Sequence, residues 1–127
     1  CVRAVADLVS PYRVWYDDVA GVMYCGWITG ATCGIAEAVA VTDDVSAAAG
    51  GRPCPLLVDM REMAGITREA REYFTSSSHG ITAVALLTAS AVTRMIANFF
   101  IGLRKAQVPT RMFRSEQDAV AWLTSIR

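Results

Sequence analysis

Asp59 and Arg61 sit at the end of the apolar run "PLLVDM", and Thr67 and Arg68 open the next polar stretch, "TREAREYF". A carboxylate, two guanidinium groups and a hydroxyl at the carboxyl end of a strand can receive an anion or a partner's charged side chain. Helix N-terminal amides at such a place add partial positive charge. The same residues suit a plainer task, an Asp59–Arg61 pair that holds the loop after the strand. A second candidate lies in "SAVTRMIANFFIGLRKAQVPTRMF", Ser90 to Phe113, which carries Arg94, Arg104, Lys105 and Arg111 and no acid. There Arg94, Asn98 and Ile101 fall on the outward side of a helix. An apolar residue among cations suits an acidic partner or a second copy of the chain.

Enzymatic constellations are sparse. His79, in "SSSHG", has serine neighbours, but a nucleophile triad needs an oriented acid and an oxyanion hole, and no G-x-S-x-G occurs. The pairs Asp17-Asp18 and Asp43-Asp44 are adjacent in sequence, so on a helix they diverge by about 100° and cannot share one proton-transfer site. Gly50-Gly51 lacks the lysine and the strand-to-helix setting of a phosphate loop. The four cysteines, Cys1, Cys25, Cys33 and Cys54, form no C-x-x-C pair and have one histidine among them, too few clustered ligands for zinc. The expectation is a non-enzymatic chain with no catalytic residues, no metal and no cofactor.

At 127 residues the chain is long enough for one ordinary core, so a single domain over 1–127 is expected, with 1–11 a poorly structured or partial amino-terminal segment. Hydrophobic residues make up 54% and charged ones 19%, which excludes a disordered chain. A net charge of zero argues against general nucleic-acid binding. The neutrality hides a division: residues 1–50 hold two arginines against six acids, a net of −4, leaving +4 for the rest. The longest uncharged apolar run, Ile81 to Val92, is shorter than the roughly 20 residues that span a bilayer. No secretory signal is visible at the amino end. Free thiols in a reducing, cytoplasmic setting are the simplest reading of the cysteines.

The elements that must carry these residues follow from pattern. "YRVWYDDVAGVMYCGWI" reads as strands Tyr12–Tyr16 and Val22–Ile28 around an Asp17–Gly21 turn, an antiparallel hairpin. An Ala-rich helix, about Cys33 to Ala49, is capped by Thr32 and stopped by Gly50-Gly51, with Glu37 and Asp44 on its solvent side. Pro55–Met60 and Ile81–Thr88 are continuous apolar runs, as in strands covered on both faces. Between them Thr67 caps a helix to about Ser76 that turns Ala70, Tyr73 and Phe74 inward. Ser90 caps the next helix, whose stripe Val92, Met95, Ile96, Phe99 and Leu103 reads as core. A short strand near Thr110–Phe113 and a final helix begun by Ser115, with Ala119, Val120, Trp122 and Leu123 apolar, complete the order β-β-α-β-α-β-α-β-α. This is an α/β domain with a mostly parallel sheet, an antiparallel edge strand and four helices.

The succession and several of its words resemble the STAS domain of anti-sigma-factor antagonists, within a family of small uncharacterised bacterial proteins. "PLLVDMREMAGITREAREYF", "AVALL", "R-x-I-x-N-F-F" (Arg94 to Phe100), "P-T-x-x-F" (Pro109 to Phe113) and "A-x-x-W-L" (Ala119 to Leu123) carry the likeness, which covers roughly residues 12 to 125. In phosphorylatable members an Asp-Ser-Ser-Gly-like segment opens the helix after the central strand. Alignment on "VDM" puts Thr67 at the Asp, Arg68 at the switch Ser, Glu69 at the second Ser and Ala70 at the Gly. A cation cannot imitate a phosphoserine of charge about −2. The resemblance thus implies an interaction module whose switch is not the usual phosphoserine. Its partner would be a protein such as an anti-sigma factor or a kinase-like chain, with a homodimer expected. Contacts would centre on Asp59, Arg61, Thr67 and Arg68, with Arg94, Asn98 and Ile101 as a second patch. The alternative is a domain that binds a small ligand: Arg61 and Arg68 lining a polar pocket would favour an anionic metabolite, an unfilled apolar cavity a lipid.

Overall fold

The computed structural model describes residues 12–76, 81–104 and 109–126, with side chains at 75, 76, 92 and 99–104 excepted. Strands β1 (Tyr12–Asp17) and β2 (Val22–Trp27) form the expected hairpin. Its turn is built by Asp17, whose carboxylate accepts from the Val19 and Ala20 amides, and by Gly21, whose φ of 70° favours a residue without Cβ. The chain continues through β3 (Thr32–Cys33), α1 (Ile35–Ala49), β4 (Cys54–Asp59), β5 (Gly65–Ile66), α2 (Arg68–Ser76), β6 (Ile81–Leu87), α3 (Ala91–Arg104), β7 (Thr110–Phe113) and α4 (Glu116–Ser125). The order matches the sequence reading except for β3 and β5. These two-residue strands pair in parallel outside the main sheet.

The main sheet runs β1-β2-β4-β6-β7, with β1 antiparallel at one edge and all other pairs parallel. Alternation along each strand assigns two faces. Cys25, Val58 and Leu86 form one row across β2, β4 and β6, and Tyr24, Leu57 and Ala85 form the neighbouring row on the opposite face. The first face is covered by three helices, through Ala38 and Val41 of α1, Ala70 of α2, and Ile96 and Ala97 of α3. Among the described residues the second face is covered by α4, whose fully buried Ala119 and Leu123 meet Leu57, Ala85 and Leu87. Among the described residues no helix is long and apolar enough to cross a membrane.

Two helix details differ from the pattern reading. Thr32 belongs to β3, and Gly34 is the residue before α1; the Glu37 carboxylate reaches back to accept from the Gly34 amide at 2.9 Å. That bond occupies Glu37, and Asp44 also has a partner, accepting from the Tyr12 hydroxyl at 2.6 Å and tying the edge strand to α1. On α3, Met95 points out, 67% exposed, while Thr93, Ile96 and Ala97 are buried. The cause is the N-terminal turn. Ser90 Oγ accepts from the Thr93 amide, and Thr93 Oγ1 accepts from the Ala89 and Ser90 amides. A satisfied threonine thus takes an inward position, and the buried seam turns away from Met95. The expected core residues Val92, Phe99 and Leu103 have side chains outside those described, and Cys1 and His79 lie outside the described residues altogether.

Because α4 is the helix that shields this face among the described residues, shortening its main anchor should be costly. Leu123→Ala should lower unfolding free energy by about 2–5 kcal/mol in urea denaturation. A loss under about 1 kcal/mol would show that α4 is not held through this contact.

Candidate functional site

The four residues singled out run from the last residue of β4, Asp59, through Arg61 and Thr67 on the connection to the first residue of α2, Arg68. Asp59 and Arg61 form a bidentate pair: Arg61 Nε donates to Oδ1 at 2.9 Å and a terminal nitrogen donates to Oδ2 at 2.7 Å, while the Arg61 amide adds a third bond at 3.2 Å. Burial works to raise the Asp59 pKa, but the hydrogen bonds from Arg61 outweigh it and hold the carboxyl below its usual range. Both groups remain partly exposed, so the pair contributes on the order of 1 kcal/mol or less. Its geometry folds the loop back on the strand end, as the structural reading of these two residues required.

Thr67 caps α2, its hydroxyl accepting from the Ala70 amide at 3.2 Å, and its own amide donates to the Cys33 carbonyl. Arg68 projects into solvent and makes a loose i,i+4 pair with Glu72 at 3.2 Å, both side chains more than 60% exposed. Arg94 and Asn98 are exposed on α3 and flank a shallow groove completed by Ala91, Met95 and Met112. The side chain of Ile101 lies outside those described. The candidate residues therefore divide into two separate patches.

A further feature, a partly open apolar pocket, was not among the candidate residues. A cavity of about 110 Å³ lies between the first sheet face and helices α1, α2 and α3. Its floor is the row Cys25–Val58–Leu86 and the adjoining row Leu56–Val84–Thr110. Val41 and Val45 of α1, Phe74 of α2 and Ile96 of α3 form the walls. Trp27, Cys33, Met60, Met63 and Ile66 close the end near the strand C-termini. Thr42 and the exposed Ser46 are the polar liners on α1, and the Thr42 hydroxyl donates to the Ala38 carbonyl at 2.8 Å. None of the described lining residues is charged.

The described thiols, Cys25 and Cys33 in the lining and Cys54 outside it, are chemically quiet. Cys25, Cys33 and Cys54 are free and buried. Burial pushes the Cys33 thiol up to about 12, with the Glu37 charge adding to it. It raises Cys25 further, aided by Cys33, and it raises Cys54 although the Arg52 charge opposes it. Such thiols stay protonated at neutral pH and are poor nucleophiles and poor metal ligands. Among the described residues no group of three or more His, Cys, Asp or Glu is placed to hold a metal ion. The sequence signal for the cavity was the matching parity of Cys25, Val58 and Leu86, which becomes visible only once the strand register is known.

With this geometry in hand, comparison with known proteins is informative about ancestry and fold. No curated protein matches the chain. Among solved structures it is similar to an uncharacterized protein of the DUF3478 family with a SpoIIAA-like fold, from Shewanella loihica PV-4. That likeness has a TM-score of 0.65 at 13% identity and covers 88% of this chain and 91% of the other. A protein of unknown function from Arthrobacter sp. FB24 is 33% identical over 87% of this chain and 97% of its own, with a TM-score of 0.36. The model of a domain of unknown function, DUF7793, matches residues 14–127. The fold is SpoIIAA-like, the STAS type expected from the sequence words, and the chain belongs to the DUF7793 family.

Proposed function

We propose that this chain is a non-catalytic binding domain whose interior cavity takes a small, uncharged, largely apolar molecule. The observation that carries this reading is the cavity of about 110 Å³ with no charged residue in its described lining. Protein interiors are close-packed, and a void of this size costs stability unless something fills it. At about 110 Å³ the pocket is smaller than the apolar void of about 150 Å³ that takes benzene, but its lining reaches the surface at the exposed Ser46, so a ring-sized occupant need not be wholly enclosed. An anion placed there would lose its hydration with no cation to replace it. Arg61 and Arg68, which would have favoured an anionic metabolite, do not line the cavity: one is clamped to Asp59 and the other is exposed.

A protein-interaction role is the second reading, supported by the exposed Met95 between Arg94 and Asn98 and by Arg68 at the start of α2. Under it, a second copy or an acidic partner meets these cations. Free buried thiols fit a cytoplasmic setting for either reading.

Native mass spectrometry of freshly purified protein, compared with the denatured mass, separates the two. The expected result is a chain carrying a defined neutral adduct that denaturation removes. A clean dimer without extra mass would favour the interaction reading and reject ligand retention. For that second reading, Arg68→Glu should abolish partner or self-capture while stability changes by under about 0.5 kcal/mol, since an acid suits a helix N-terminus. Capture that survives the substitution would exclude Arg68 from any contact surface.

The buried acids also set a pH dependence. The Cys33 pKa is about 12 in the fold against an ordinary value of 9.0, so the folded chain keeps a proton that the unfolded chain has lost. The shifts at Cys25, Cys54, Tyr12 and Tyr24 have the same sign. Stability from these groups is fully present below about pH 9 and is lost as pH rises toward 12. Urea midpoints should be level from neutral pH to about pH 8.5 and then fall. A level profile up to about pH 11 would show that these groups are not buried as described.

A further inference from the structure

The cavity lining is unusual in kind as well as in charge. Four sulfur-bearing residues line it, Cys25, Cys33, Met60 and Met63, together with the aromatic residues Trp27 and Phe74. Sulfur is more polarisable than a methyl group and makes favourable contacts with aromatic rings, commonly at the ring edge. Aromatic side chains add edge-to-face or offset contacts that a saturated ring cannot return. Polar opportunity is confined to hydroxyls. Thr42 has committed its proton to Ala38, and Ser46 lies where the lining reaches the surface of α1.

We propose that the occupant is a small uncharged aromatic, one ring bearing a single hydroxyl-sized polar group, held among the sulfurs of Cys25, Cys33, Met60 and Met63. This rests on the reading of the cavity as a ligand site and adds the class of ligand. The ring lies among the sulfurs and the two aromatic side chains, and its polar group is directed toward Ser46 and Thr42. The protonated thiols favour this occupant, because a thiolate would place negative charge against the face of the ring.

The test compares phenol with cyclohexanol, which share a size and a hydroxyl and differ in the ring. The full chain, labelled with carbon-13 at the methionine methyl groups, is titrated with each. The expected result is that phenol binds at least about fivefold tighter and shifts the Met60 and Met63 methyls by ring current. The exposed Met95, absent from the cavity lining, should stay unmoved and so reports non-specific surface binding. Equal affinity for the two probes would overturn the aromatic assignment while leaving the cavity as an apolar ligand site. Binding by neither probe at millimolar concentration would overturn both. The double substitution Met60→Leu and Met63→Leu keeps volume and removes two sulfurs. It should narrow the preference to within about twofold; an unchanged preference would overturn the role given to those sulfurs. If that variant does not fold, the comparison on the unaltered chain still decides.

Discussion

The structure depends on covering both faces of the two central strands. Leu57 on β4 and Ala85 and Leu87 on β6 are fully buried toward α4, while Val84 and Leu86 are buried toward the other three helices. Desolvating both sides of a parallel pair requires a helix layer on each: the crossovers that join the parallel strands supply α1, α2 and α3 on one face, and α4, which follows β7, supplies the other. The cover is unequal. Ala83 and Ala85 are small, so the single helix α4 can approach closely and seal its face through Ala119 and Leu123. On the opposite face three helices converge over larger side chains without filling the space between them, and the cavity is what remains.

That imbalance places the most distinctive chemistry inside the molecule. Several of the acids are occupied in local clamps: Asp59 with Arg61, Glu37 with the Gly34 amide, Asp44 with the Tyr12 hydroxyl. These bonds fix the loop after β4, the start of α1 and the edge strand. The same burial that makes the thiols unreactive leaves polarisable, uncharged atoms around the cavity. A site of this kind selects by shape and polarisability and has no means to attract an ion. Arg68 remains outside this system on an exposed helix start.

Much of the architecture was legible in the chain itself. Continuous apolar runs at β4 and β6, aromatic alternation with an Asp-rich turn at β1–β2, and the caps at Thr67, Ser90 and Ser115 reflect local constraints that neighbouring residues satisfy together. The Asp59–Arg61 pair was legible for the same reason, since its partners are two residues apart. Met95 was not. Its apolar side chain fits the stripe of α3, but whether it is buried depends on how the helix is rotated, and Thr93 sets that rotation through bonds that no hydrophobicity pattern records.

Local order and covalent spacing thus determined the fold class, the starts of α2, α3 and α4 and the loop clamp from sequence alone. Tertiary structure alone decided the cavity, because it is a property of distances between elements. Cys25, Cys33, Met60 and Phe74 come from different parts of the chain and share one space only after the strand register and three helix positions are set together. Packing is a many-body condition, and no single stretch of residues contains it.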